Sequence, residues 1–128
     1  MADQTAEALA AHPRWEWRDG IRLSAVSGER VSNVRVIIGT GSTVSDHLRY
    51  LGAVPDLDDD GTAGIVLGMV REWAHARGSA VEVFCGANPQ HSSVHAVPVG
   101  GYGSTLGEAA GGCLLSCWAL DAADGDSR

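Results

Sequence analysis

The sequence predicts an α+β fold: an antiparallel sheet of about four strands with two helices packed on one face, in the order (α)ββαββα. Three observations predict this class. The stretch Pro55–Gly78 has the apolar spacing of an amphipathic helix. Pairs of short runs with the alternation of β-strands lie on both sides of it. The length of 128 residues fits a single domain, 1–128, with a buried core.

The N-terminal segment is alanine-rich, and we expect residues 1–12 to be loosely ordered or to form a short helix that ends before Pro13. Trp15 and Trp17 alternate, so both indoles would point to one side of a strand. We interpret them as core or sheet-face residues, because the chain has few other aromatic side chains. A stacking platform for a base or another ligand is the alternative, which makes both candidate binding residues.

Two β-rich runs follow, Ile21–Val26 and Val31–Ile38, joined by the hairpin turn Ser27–Arg30. The small-residue loop Gly39–Thr43 lacks the spacing and the lysine of a phosphate-binding loop. We expect Val44–Leu51 to be a short extended or helical connector to the central stretch.

The central stretch begins with a start signal and ends with a stop signal. Pro55 keeps the preceding residue extended, and the following aspartates place negative charge where a helix N-terminus favours it. Asp58 or Asp60 is the predicted N-cap, and Gly78 is the predicted residue just beyond the helix end. The apolar arc of this helix consists of Ile65, Val66, Leu67, Met69, Val70, Trp73 and Ala74.

The aspartates also resemble the first half of a calcium-binding loop. Asp56, Asp58 and Asp60 have the spacing of its first ligands, and Gly61 follows them. The twelfth position of such a loop should be a bidentate glutamate, but here it is Leu67. Helix capping is therefore the favoured interpretation of these three candidate metal ligands.

The other face of the central helix contains further candidate binding residues. Gly64 and Gly68 lie one turn apart, although glycine weakens a helix by about 1 kcal/mol relative to alanine. Either another backbone or a partner comes close there, or the face is simply solvated; both interpretations stay open. Arg71 and His75 lie on the same face and are the other two candidate binding residues of this helix.

The C-terminal third predicts two strands and a helix. Ala80–Cys85 and Ser93–Val99 have β-strand character and are joined by a turn, whereas Gly100–Gly103 suggests a flexible joint. Ser104 or Thr105 caps a helix that should run to about Leu120. Its predicted apolar face consists of Leu106, Ala109, Ala110, Cys113, Leu114 and Cys117, and the acidic tail 121–128 should be disordered.

Cysteine and histidine offer one further metal hypothesis. Cys113 and Cys117 lie one helical turn apart, and His91 and His95 share strand parity, so the four could in principle bind zinc. Both cysteines lie in the centre of an apolar face, where free cysteine behaves as a small hydrophobic residue. We therefore predict buried thiols, no metal site and no cofactor.

The composition limits the classes of partner that we expect for this protein. The net charge is −7 and the basic residues are nine arginines without lysine, so we do not expect a nucleic-acid partner held through phosphate contacts. Three cysteines do not suggest a disulfide framework. We see neither a membrane-length apolar run nor a secretion signal, and we expect a cytoplasmic protein without a membrane partner.

Several blocks resemble small uncharacterised proteins of tailed bacteriophages and prophages. They are HPRWEWRDGIR at 12–22, PDLxDxxTxG at 55–64, LxxVREW at 67–73 and TLGEA at 105–109. The resemblance covers about residues 9–120 and is most specific over 55–73. It implies a phage or prophage source and a place in the cytoplasm of the infected cell or in the virion, but it brings no catalytic residues.

These observations lead to three hypotheses. The first is a non-enzymatic phage accessory protein that binds a host or phage protein or a small-molecule signal, for example to block a bacterial defence. The second is a structural or assembly homo-oligomer, which a large exposed apolar patch on the sheet face opposite the helices would favour. The third is a metal-dependent enzyme.

Overall fold

The computed structural model describes residues 2–27, 29–31, 34–36, 44–85 and 92–125. The helices in this part of the chain are α1 (Ala2–Ala11), α2 (Val44–Tyr50), α3 (Asp60–Ala76) and α4 (Leu106–Gly125). The strands are β1 (Leu23–Val26), β2 (Glu29–Arg30), β3 (Val54–Pro55), β4 (Val81–Cys85), β5 (Ser92–Ala96) and β6 (Val99–Gly103). No helix within these ranges is long and apolar enough to cross a membrane.

The α+β class is confirmed, but the single sheet of four strands and the order (α)ββαββα are wrong. The described strands form two antiparallel sheets of three strands each, ordered β2-β1-β3 and β4-β5-β6. Three strands without a predicted counterpart explain the difference. β2, which lies in the predicted turn, and β3 have only two residues each, too few for a periodic signal, and three of the five residues of β6 are glycines.

The first sheet is small and is tied to α3. The backbone N–H of Arg22 donates to the Thr62 hydroxyl in the first turn of α3, at 2.8 Å. Residues 34–36 lie beside this sheet, because Leu23 N–H donates to the carbonyl of Val34 and Val36 N–H to that of Ile21. The predicted strand Val31–Ile38 is thus only partly seen, and residues 37–43, with the predicted Gly39–Thr43 loop, lie outside the described residues.

Helix α4, rather than α3, is the element around which the described residues pack. It contacts β5, β6, α3 and α1, and its predicted apolar face is buried except at its first residue, Leu106. The closest approach is to β6, where a Cβ on Gly101 would lie 2.2 Å from the carbonyl oxygen of Ala109. Only glycine fits between the two backbones. A helix that is buried on most sides has no single polar face. Its amphipathic pattern is therefore weak, and the sequence did not identify α4 as the central element.

Both chain ends of this part of the molecule are helical. Helix α1 packs on α4 and buries Ala6 and Leu9, so the short-helix interpretation of residues 1–12 is the one observed. Helix α4 continues to Gly125, whereas the sequence predicted disorder from Asp121. The prediction is corrected for 121–125, and residues 126–128 lie outside the described ranges.

Candidate functional site

The second sheet has one covered face and one open face. Its register aligns Val83 with Val94 and Gly101, and aligns Phe84 with Ser93 and Tyr102. Val94 and Gly101 are buried against α4. Since side chains alternate along a strand, the second row points away from α4. We call this side, with Glu82, Phe84, His95 and Tyr102, the outer face.

Large apolar side chains are exposed on and beside the outer face. Phe84 is 63% exposed and Tyr102 is 73% exposed, with the small Ser93 between them in the register. The His95 ring makes an edge contact with Tyr102 at 5.4 Å between centroids. Val97, in the turn after β5, is 66% exposed. The described residues thus leave an aromatic surface uncovered opposite α4, which is the feature the homo-oligomer hypothesis specified, although it does not involve Trp15 or Trp17.

A groove of about 640 Å³ lies between α3 and β4, on the other side of the sheet from the outer face. It brings together three of the candidate binding residues, Gly68, Arg71 and His75. Gly64 is exposed one turn earlier. A Cβ added at Gly64 or Gly68 would meet nothing within 4 Å, so no other described backbone approaches these glycines. The groove is lined by Leu67, Gly68, Arg71, Glu72, His75, Ser79, Val81 and Val83.

A second cavity, of about 590 Å³, lies where the C-terminal parts of α3 and α4 meet the Arg14–Arg18 segment. At its edge Asp121 accepts hydrogen bonds from Arg14 at 2.5 Å, from the Trp73 indole N–H at 2.9 Å and from Arg77 at 3.2 Å. We call this group the Asp121 clasp. Hydrogen bonds from Arg14 and Trp73 hold the pKa of Asp121 below its ordinary value although burial opposes them. Asp121 therefore ties three separate segments together.

The aromatic rings of this cavity already have partners. The Arg77 guanidinium lies 4.7 Å from the Trp73 ring centroid, and the His12 ring is stacked on Trp118 at 4.4 Å. Arg18 and Glu72 form a bidentate ion pair, whose hydrogen bonds lower the pKa of Glu72. Because carboxylates hold these arginines and cations or rings cover the indoles, the arrangement is that of a structural clasp more than that of a ligand site.

Trp15 and Trp17 are core residues. They are 1% and 2% exposed and pack edge to face at 5.5 Å between centroids, outside any strand. The packing interpretation is confirmed, and the prediction that they lie on a strand is wrong. A ligand could not stack on either indole without opening the core.

The acidic start of α3 is a capping structure centred on a residue that we did not select. Asp59, not Asp58 or Asp60, is the N-cap and accepts from the backbone N–H of Thr62 at 2.9 Å. Its carboxylate also accepts two hydrogen bonds from Arg35, which lower its pKa well below the ordinary range. Asp60 is the first helical residue, and Asp56 pairs with Arg22 at 3.6 Å. The prediction of Gly78 just beyond the helix is confirmed by its φ of +72°.

The histidine and cysteine candidates lie apart. His95 pairs with Gly100 on the outer face, whereas Cys113 and Cys117 are buried on the α4 side of the sheet. His91 lies outside the described residues. Within the described ranges, no group of three or more histidine, cysteine, aspartate or glutamate side chains could hold a metal ion.

Sequence reasoning missed the most exposed aromatic residues of the sheet. The alternation of β4 already placed Phe84 opposite Val83, which is a usable signal for an exposed aromatic side chain. Tyr102 could not be found in the same way, because the glycines around it removed the alternation that would have identified β6.

No family model, no curated protein and no solved structure matches this chain.

Proposed function

We propose that this chain is a small non-enzymatic accessory protein of phage type that acts by binding another protein, and that the outer face is its binding surface. The observation that carries the proposal is the exposure of Phe84 and Tyr102 in one cross-strand row. Aromatic side chains are enriched at protein interfaces because they bury a large area at low entropic cost. The partner is a host or phage protein in the cytoplasm of the infected cell.

The chemistry of the outer face fits a protein better than a nucleic acid or a small metabolite. The outer face contains the acidic side chain of Glu82 on the edge strand β4, which pairs in register with His95, and the net charge of the chain is −7. Phosphate groups would be repelled by such a surface. The face is open and aromatic, whereas small-molecule sites are concave. These properties suit a partner with an apolar patch and a basic rim.

Affinity capture with matched variants tests this proposal. Wild-type protein, the double variant F84S/Y102S and the control Y50S are immobilised and exposed to host lysate, and retained proteins are quantified by mass spectrometry. Tyr50 is 87% exposed on α2, so its loss removes an exposed tyrosine away from the sheet. A partner retained by wild type and Y50S is then purified and titrated against each variant.

We expect the double variant to weaken binding of the purified partner at least tenfold, which corresponds to about 1.4 kcal/mol. Equal binding by wild type and F84S/Y102S would contradict the role of the outer face. Circular dichroism of each variant excludes unfolding as the cause of a loss.

A second candidate function, assembly as a homo-oligomer, is favoured by a feature in addition to the exposed outer face. Strand β4 is the last strand of its sheet among the described residues, so the side of β4 away from β5, which we call the β4 edge, has no described strand beside it. An extended chain could join there without covering the outer face.

A further inference from the structure

We infer that two copies of this chain pair through their β4 edges, so that the two three-stranded sheets join into one antiparallel sheet of six strands. This inference rests on the second candidate function and gives it a partner and a register, and it is independent of the first, which uses the outer face. It stands on the geometry of β4, on the groove beside it and on the charge pattern of the strand.

Strand β4 is well suited to accept another strand. All five of its residues are in unbroken register with β5, from Val81 opposite Ala96 to Cys85 opposite Ser92. It has no proline, lysine or bulge, and Glu82 is its one charged residue, so several of the usual devices that protect a sheet edge are absent from β4. Its last four residues are exposed, including Val83 at 45%. A regular edge with exposed apolar side chains favours strand addition.

Charge and register identify a second copy as the occupant. If the two strands run antiparallel about a twofold axis through Val83, every residue of β4 is paired: Val81 with Cys85 of the other copy, and Glu82 with Phe84 of the other copy. Centring the pair on Glu82 instead would place two carboxylates directly opposite each other, which is unfavourable. Centring it on Phe84 would leave Val81 and Glu82 without partners in β4. The strand is therefore self-complementary in one register, as a twofold interface requires.

The groove between α3 and β4 gives the added strand room on its inner side. Val81 and Val83 line this groove from β4, and Leu67 and Gly68 line it from α3. A twofold axis perpendicular to the sheet keeps inner side chains on the inner side, so the second copy's inward valines would enter the groove. Gly68 has no side chain and nothing within 4 Å of its missing Cβ, which leaves space for them. Pairing would thus give the glycine face of α3 a packing role.

Sedimentation equilibrium of the full chain tests the inference with two matched lysine variants. We expect wild type to be a dimer and V83K to be a monomer, because two lysines would face each other on the twofold axis. Y102K is the control: it adds the same charge at an exposed site of the same sheet, on β6, and should remain a dimer. A monomeric wild type would overturn the inference, as would a V83K protein that is still dimeric.

Cross-linking provides a second test that does not depend on the stability of a charged variant. In the C85S background, V83C places one thiol on the twofold axis, and mild oxidation should yield a covalent dimer. E82C in the same background faces Phe84 of the other copy and should remain uncross-linked. Cross-linking of E82C but not V83C would overturn the register.

The two proposals fail separately. Loss of partner binding in Y102K with an intact dimer supports the outer face and leaves the edge pairing standing. A monomeric wild type that still binds its partner through Phe84 and Tyr102 overturns only the pairing.

Discussion

At the scale of single residues, Asp59 shows how much one side chain can organise. Its carboxylate accepts from the Thr62 backbone N–H at 2.9 Å, from the Thr62 hydroxyl at 3.0 Å and from both terminal nitrogens of Arg35. Thr62 in turn accepts from Arg22 N–H. The same carboxylate therefore begins α3 and connects it to Arg35 directly and to Arg22 through Thr62.

Replacing Asp59 should destabilise the fold. We expect D59N to lower the free energy of unfolding by about 1–2 kcal/mol, because an amide oxygen can still accept from Thr62 but the negative charge that faces Arg35 and the helix N-terminus is lost. Urea denaturation followed by circular dichroism measures the change. D58N is the matched control, because Asp58 is exposed two residues before the helix, and it should change stability by less than about 0.5 kcal/mol. An equal loss in both variants would contradict this role.

The sequence predicted an aspartate cap but selected the wrong aspartate. Four of the five residues from Asp56 to Asp60 are aspartates, and each can accept a backbone hydrogen bond, so spacing alone does not distinguish them. The tertiary partner Arg35, distant in sequence, settles the choice. The buried positions of Trp15 and Trp17 were predictable, since scarce large aromatic side chains fill cores.

At the scale of elements, the contact between β6 and α4 fixes the second sheet to the helices. Gly101 allows two backbones to meet, and the small residues Ala109, Gly112 and Cys113 form the helix side of the contact. The sequence identified the apolar face of α4 but not the strand that it meets, since a glycine-rich strand has no alternation.

A methyl group at Gly101 should be poorly tolerated. Because its Cβ would lie 2.2 Å from the Ala109 carbonyl oxygen and 2.3 Å from the Cys113 nitrogen, the strand and the helix must separate. We expect G101A to lower the free energy of unfolding by about 1–3 kcal/mol or more. G112A is the control in the same contact, because its Cβ would meet only the Gly101 Cα at 3.7 Å. Chemical denaturation distinguishes them, and a G101A protein as stable as G112A would refute the packing.

The Asp121 clasp connects the C-terminal part of α4 to α3 and to Arg14. We expect D121A to cost about 1–2 kcal/mol, mainly because the partly buried Trp73 indole loses its acceptor. Surface substitutions away from such contacts change stability little, so E7A on the exposed side of α1 should change it by less than about 0.5 kcal/mol. Thermal unfolding of both variants measures the difference, and an unchanged D121A would show that the clasp is incidental.

At the scale of the whole molecule, the carboxylates and the histidine with altered pKa values shift in one direction. Hydrogen bonds from arginines lower the pKa of Asp59 and Glu72, and those from Arg14 and Trp73 lower that of Asp121 against the effect of burial. Burial, with nearby Arg14 and Arg49, lowers the pKa of His12. In each case the unfolded chain binds protons more readily than the folded chain, so acid favours unfolding.

Stability should therefore fall in two stages as the pH is lowered. A shallow loss begins as the pH falls through 6.5, the ordinary pKa of His12, and a steeper loss begins below about pH 4, where unfolded carboxylates take up protons. Urea midpoints measured across this range test both stages. We expect H12Q to lack the first stage and D59N to have a shallower second stage; identical slopes in all three proteins would contradict the assignment.

The division into two sheets could not be predicted, because it depends on which distant strands pair. The two hairpin-like regions were recognised from alternation, but β1 takes β3 as its second neighbour and β5 takes β6. Because neither β3 nor β6 has a periodic signal, the sequence predicted a single sheet built from the strands that it did identify. The candidate site was predictable to the same extent. The groove residues Gly68, Arg71 and His75 could be selected because they lie on one helix, whereas the outer face could not be identified without the cross-strand register.

The two buried thiols of α4 can report when this helix separates from the sheet, because they react only when they become exposed. Cys113 and Cys117 are fully buried, and the hydrogen bond to Cys113 together with burial raises the pKa of the Cys117 thiol, whereas Cys85 is exposed. Alkylation with iodoacetamide should therefore label Cys85 first and the two helix thiols only when α4 leaves the sheet. Peptide mass spectrometry over time would then measure that separation directly, without an added probe.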